Sequence, residues 1–354
     1  MIIRALFPTL AKSTCFPLVP GLTLWTAALL TLTGQAGEAL PAGMMAVQDP
    51  STGQVEFTEA GRPVLRYNYR SIEPGDLLNQ VTEGNRIYAR ARGNYLHPLH
   101  GLEGEVLTRD WPVDHPHHRG IYWAWPEVDF GTDRGDLHAL QRVFARPTGR
   151  LNLESGPTFA QVDAENLWLW EDRDPIVRER AVIRAYPATP PGRIVDLEFH
   201  FVGLKDGVTI ARRGTSNYGG LNLRLATPQS QRIIVHQDPP GAGPRRAWSD
   251  LSGVFSGTKT SGLSVLQHRD NPEYPGDWVQ YPELSWVQPT FPSAGTRHPL
   301  PPDRPLTLRY RLWLHAGTTP SPEDLATLWD TWHATPSTAV SDLPANTPPA
   351  PIKP

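Results

Sequence analysis

The chain has 354 residues, a formal net charge of −3 and a single cysteine, Cys15. Its charges of both signs are interspersed, which leaves no basic face for nucleic acid, and one cysteine excludes an intrachain disulfide framework or a thiolate metal cluster. Proline (38) and tryptophan (12) are abundant and lysine is scarce, a composition shared by exported β proteins that handle sugars and by purely structural β proteins.

Arg4 and Lys12 precede an apolar run from Leu22 to Leu32, and Gly34 and Ala36 follow like a cleavage site. Residues 1–36 therefore read as a secretory signal peptide with a long basic region. A retained anchor is the alternative, but the run is shorter than the roughly 20 residues a bilayer span requires. Cys15 precedes the run, so it is badly placed for a lipid anchor, and removal of the signal would leave no thiol. The mature protein is expected in the periplasm or outside the cell, with no membrane span after signal removal.

Residues 44–333 read as one β-sandwich domain. From Ile176 to Tyr186, and strictly in Val195-Asp-Leu-Glu-Phe-His-Phe201, the pattern is that of a half-buried strand. Leu221, Leu223 and Leu225 alternate with Asn222 and Arg224. Arg232 to His236, Leu263 to His268 and the nine residues Leu306 to Leu314 complete the set. Turns bearing Gly and Pro separate them, as in PATPPGR and DPPGAGP. With no β-α-β alternation and no dinucleotide glycine fingerprint, the fold class is all-β, with large antiparallel sheets packed face to face. One helix closes the domain. Ser321 is its N-cap and Pro322 its first residue, and Leu325, Leu328, Trp329 and Trp332 form one apolar stripe. Residues 334–354 are Pro-, Ala-, Ser- and Thr-rich without aromatics, and are expected to form a disordered tail.

Three of the 12 histidines fall in Asp114-His-Pro-His-His-Arg-Gly120. In extended chain His115 and His117 would point one way and His118 the other, while Pro116 stiffens the segment. Such a pair suits metal binding or acid/base work. Asp114 could orient an imidazole, and Arg119 offers a fork for a carboxylate or a hydroxyl. The competing reading is hydrogen-bonded histidines plugging a β core. Asp114, His115, His117 and His118 are the candidate catalytic residues. Arg119, His97, His100, Tyr218, Arg224 and Trp123 are the candidate substrate-binding residues. Arg224 faces away from the neighbouring leucines, either into a ligand face or into solvent. Trp123 and Trp125 share a strand face, either as core or as a sugar platform. Two histidines do not make a metal site; His97, His100, His138 or a distant carboxylate could add a third ligand, so metal and cofactor stay open. His138 reads more readily as a loop residue. Glu283, Asp277 and Trp278 are weaker candidates.

The stretch RGNYLHPLHGLEGEVLTRDWPVDHPHHRGIYWAW resembles the signature of the bacterial DUF6807 family, often labelled PmoA. The matching positions are His97, Pro98, Leu99, Thr108, Arg109, Asp110, Pro112, Asp114, His115, Pro116, His117, His118, Gly120 and Trp123, and the likeness extends from about residue 60 to residue 333 through NYGGLNLRLA and LRYRLWLHAG. After Trp125 the chain runs Val128-Asp-Phe-Gly-Thr, without the tryptophan the family commonly has there. The label would imply methane oxidation, but the membrane-bound methane monooxygenase subunit spans the bilayer with long apolar helices that this chain lacks after its leader. The strand pattern is similar instead to the supersandwich of galactose mutarotase-like proteins, which implies a pyranose ligand on a concave sheet. The first reading is thus an exported carbohydrate-active protein using the histidines as acid/base groups in epimerisation, elimination or hydrolysis. A non-catalytic sugar-binding or scaffold module is the second, and a metal-dependent oxygenase or hydrolase the third. A small-molecule or polysaccharide ligand is common to the first two.

Overall fold

The computed structural model describes residues 43–236 and 247–334. The expected leader, residues 1–36, and the expected tail, apart from Ala334, lie outside the described residues. Among the described residues two eight-stranded antiparallel sheets dominate. The first runs, edge to edge, Met44–Asp49, Gln54–Glu59, Arg62–Asn68, Tyr95–Leu99, Ile121–Ala124, Gly220–Arg224, Trp286–Pro289 and Trp278–Tyr281. The second runs Gln229–His236, Trp248–Val254, Ser261–Gln267, Leu306–Ala316, Gly192–Gly203, Asp174–Ala185, Ala160–Trp170 and Val143–Ser155. A smaller four-stranded sheet contains Glu127–Phe130 and Val208–Ala211. The alternating stretches of the sequence coincide with these strands, with Tyr186, Leu225 and His268 one residue beyond their ends, because one face of each must be buried.

The core lies between the facing sides of the two large sheets. Leu221, Leu223, Ile121 and Trp123 of the first meet Leu197, Phe199, Phe201 and Tyr310 of the second in one apolar cluster. Trp123 stacks on Trp125 at 4.5 Å between ring centroids and meets Phe199 and Phe201 edge-on at 4.9 and 5.1 Å. This corrects the placement of Trp123 among substrate-binding residues. Its indole is core because it shares a strand face with the inward leucines, and burying an aromatic ring there stabilises the sandwich by a few kcal/mol, about 25 cal/mol for each Å² removed from water.

The opposite face of the first sheet is covered as well. Asn222 and Arg224 alternate with the leucines as expected, yet both are buried, under the turns that carry the histidines. A solvated face for Arg224 is thereby excluded.

Pro322–Ala334 is the helix. Its Ser321 Oγ accepts from Asp324 N–H at 3.1 Å while Asp324 Oδ2 accepts from Ser321 N–H at 3.1 Å, a reciprocal cap. Leu325 is buried, with Leu328, Trp329 and Trp332 packed beside it against Trp248 and Leu266 of the second sheet. Replacing Ser321 by alanine is expected to lower stability by about 1 kcal/mol, read as a shift in urea midpoint; no shift would show that packing alone holds the helix. No helix among the described residues is long and apolar enough to cross a membrane.

One buried carboxylate sets a pH dependence. Glu179 accepts hydrogen bonds from Asn94 Nδ2 at 2.8 Å and Trp168 Nε1 at 2.7 Å, but it is wholly enclosed, and desolvation pushes its pKa up to about 7. Between about 4.5, its unfolded value, and about 7 the folded state keeps a proton that the unfolded state releases. Stability contributed by this group therefore falls as pH rises through that window, by about 3 kcal/mol in all. Urea unfolding of Glu179→Gln should show a flatter profile than wild type between pH 5 and pH 8; parallel profiles would refute the assignment.

Candidate functional site

The histidine segment is not extended. Asp110 and Arg119 pair across its base as an antiparallel bridge, and Gly120 N–H donates to Arg109 O at 2.9 Å. Within the loop, His115 N–H donates to Pro112 O at 3.1 Å and His118 N–H to His115 O at 2.9 Å. These are consecutive tight turns, so the two-residue periodicity of a strand does not apply. Gly120 leaves the loop at φ 67°, where a Cβ would lie 2.2 Å from Leu96 O; only glycine fits there. Turning brings all three rings together, with centroids of His117 and His118 4.6 Å apart, His115 and His118 4.9 Å, and His115 and His117 6.0 Å.

His138 completes the group from a different loop. Asp136 and Gln141 close that loop with reciprocal backbone bonds of 2.7 and 2.8 Å, and Asp136 Oδ1 accepts from Ala139 N–H at 2.8 Å. Buried Arg92 donates to the carbonyls of Leu137 and His138, both at 2.7 Å. The His138 ring lies 4.5 Å from His117 and 5.2 Å from His118. One ring nitrogen from each of His117, His118 and His138 lies within 4.8 Å of the other two. His138 Nδ1 is engaged by the Tyr122 hydroxyl at 3.1 Å, which leaves Nε2 for a ligand. Nδ1 of His117 and Nδ1 of His118 are buried without a hydrogen-bond partner among the described residues. Orphaned buried nitrogens of this kind are costly unless something binds them.

Desolvation, then the neighbouring histidines and arginines, holds the His117 pKa down to about 3 and those of His118 and His138 well below the ordinary value. All three are neutral imidazoles near neutral pH, the form that ligates metals and not the imidazolium that serves as a general acid. An all-nitrogen set fits zinc or another first-row transition ion better than magnesium or calcium. Bonds of about 2 Å to a shared ion would require the rings to close in from this spacing. Tyr122 and Arg92 would act behind them, fixing the orientation of His138 as outer partners of ligating histidines do.

Around the group stands an aromatic wall. Trp286 lies 4.9 Å from His118, Tyr281 stacks on Trp286 at 4.9 Å, Tyr218 is 5.5 Å from His138, and Tyr88 is 5.3 Å from His117. His115 is half-exposed, with Nδ1 3.0 Å from Asp114 Oδ2. Arg224 reaches the same carboxylate from behind at 3.9 Å and donates to Leu284 O. Arg213 stands on the exposed side of the group, bound to Asp136 at 2.7 Å and to the Tyr218 hydroxyl at 3.2 Å.

The remaining candidates sit elsewhere. Arg119 is fully buried, donates to Asp110 and Tyr95, and stacks 3.5 Å over Trp111. It braces the loop base, and enclosure keeps it from binding substrate. His97 pairs with Thr108 Oγ1 at 2.9 Å and His100 with Gly104 O at 3.1 Å. Both are tied to the segment between residues 97 and 108, outside the three-nitrogen group. Asp277 pairs with Arg212 at 3.2 Å, and Glu283 is exposed. Sequence reasoning passed over Tyr122, Arg92, Arg213 and Trp286, with Tyr88 and Tyr281 of the aromatic wall, and gave Asn222 no role. Tyr122 and Trp286 stand in apolar strand patterns that read as core, and no local signal marks them. For His138 the only signal was its residue type.

A family model described as "Family of unknown function (DUF6807)" matches residues 54–330, a span that includes every residue of the group. No curated protein matches the chain.

Proposed function

The chain belongs to the DUF6807 family, a family of unknown function, and from that premise we propose that it is a metal-dependent enzyme with His117, His118 and His138 as the ligands. The observation that carries this reading is the convergence of three neutral ring nitrogens within 4.8 Å, two of the rings bearing a buried Nδ1 with no partner among the described residues. Three histidine ligands leave a coordination position open, and a metal there supplies Lewis-acid activation of water or of a substrate oxygen. His115, held by Asp114 and half-exposed beside His118, is placed to hydrogen-bond a substrate or its water. The wall of Tyr88, Tyr218, Tyr281 and Trp286 favours a small ring-shaped polar substrate, for which a sugar is the reading that the aromatic surfaces support. Export from the cytoplasm goes with that reading.

Elemental analysis of purified protein tests it. Wild type is expected to hold about one equivalent of a transition metal after dialysis, and His117→Ala/His118→Ala none. A metal-free wild type that cannot be loaded would end the proposal. A non-catalytic sugar-binding module would then be the better reading, favoured by the aromatic wall alone.

A further inference from the structure

We propose that the substrate bound at this site is an oxyanion, a carboxylate carried on a hydroxylated skeleton, and that Arg213 is its first contact; the inference rests on the metal reading above. The argument is one of charge. The three nitrogen ligands are neutral, and no carboxylate belongs to the ligand group, so a divalent ion would bring its full charge into the site. Three guanidinium groups already stand around it: Arg92 donates to the His138 carbonyl at 2.7 Å, Arg213 holds Asp136 two residues before His138, and Arg224 lies 3.9 Å from Asp114, the partner of His115. Of the carboxylates beside them, Asp136 is engaged by Arg213 at 2.7 Å, and Asp114 is shared between His115 and Arg224. A loaded centre therefore carries an excess of positive charge in surroundings of low dielectric, which costs free energy until an anion enters.

The hydrogen-bonding inventory points the same way. Arg224 Nε, Trp286 Nε1 and both amide atoms of Asn222 are buried without partners among the described residues. Register places Asn222 opposite Tyr122 and Arg224 opposite Trp286, so Asn222, Arg224 and Trp286 share the sheet face beneath His138. Three of those four atoms are N–H donors, so the floor beneath the ligands is rich in positive dipole ends, although enclosure keeps these atoms themselves from touching a substrate. The fourth, Asn222 Oδ1, is an acceptor. Arg213 offers the way in. Its side chain is 44% exposed, Nε and Nη2 are held by Tyr218 and Asp136, and Nη1 has no partner among the described residues.

The test uses the full chain loaded with cobalt(II), whose visible absorption reports on the metal's surroundings, titrated with D-glucuronate and separately with D-glucose. The expected result is a saturable spectral change with glucuronate, about tenfold or more tighter than with glucose. Arg213→Gln should lose that preference with its cobalt content unchanged, and Arg213→Lys should recover part of it. Equal binding of the two sugars, glucose preferred, no binding of glucuronate, or a preference indifferent to Arg213 would each overturn the inference while the cobalt count leaves the metal reading standing. A chain that takes up no cobalt overturns the metal reading, and this inference with it.

Discussion

His138→Ala is expected to abolish stoichiometric metal binding, with affinity falling by more than the 10–100-fold typical of changes behind a metal's ligands. The ring lies 4.5 Å from His117 and supplies the nitrogen that closes the group. Without it two adjacent histidines of one turn remain, too few to hold a transition ion tightly. Tyr122→Phe is the graded companion. It removes the hydroxyl at 3.1 Å from His138 Nδ1 but keeps the ring, so a loss within that 10–100-fold range is expected. His97→Ala and His100→Ala should leave metal content unchanged, because both rings are tied to the 97–108 segment. The measurement is metal content against a chelator series. Full occupancy in His138→Ala, or equal losses in His97→Ala, would show that the nitrogens do not act as one site.

Arg119→Ala is expected to cost about 3–5 kcal/mol of stability. The guanidinium is 1% exposed, Asp110 13%, and the pair closes the loop that presents the histidines. Truncation leaves the Asp110 carboxylate in a poorly solvated place with its partner gone. It also removes the contacts over Trp111 at 3.5 Å and Tyr95 at 4.4 Å. Arg119→Lys keeps the charge but loses the planar fork, so it should fall between alanine and wild type. Because the loop base and the ligands share one segment, metal affinity should drop with stability across this series. A loss below about 1 kcal/mol in urea unfolding, or a destabilised protein with unchanged metal affinity, would separate the brace from the site.

These two variants locate what makes the site. His117 and His118 are brought together by local chain geometry, through turns closed within nine residues. His138 joins them across three strands and a second loop, and its place depends on Arg92 gripping two carbonyls from more than forty residues away in sequence.

The alternation of apolar and polar residues by itself determined the all-β class, the main strands and the closing helix with its Ser321 cap. Those features follow from periods of two and 3.6 residues, which local sequence carries directly. The density of histidines between 114 and 120 likewise marked where the site lies. It could not show that the segment turns, since Pro116 is compatible with extended chain or turn, and the Asp110–Arg119 closure that decides between them is set by strand pairing. The same limit applied to Trp123 and Arg224. Both alternate regularly, but whether a sheet face meets core, ligand or solvent depends on what packs over it. The second sheet covers one side and puts Trp123 in the core; the loops carrying the histidines cover the other and bury Arg224. The meeting of His138 with His117 and His118 was decided by tertiary structure alone, because contacts between distant loops leave no periodic trace in a single chain.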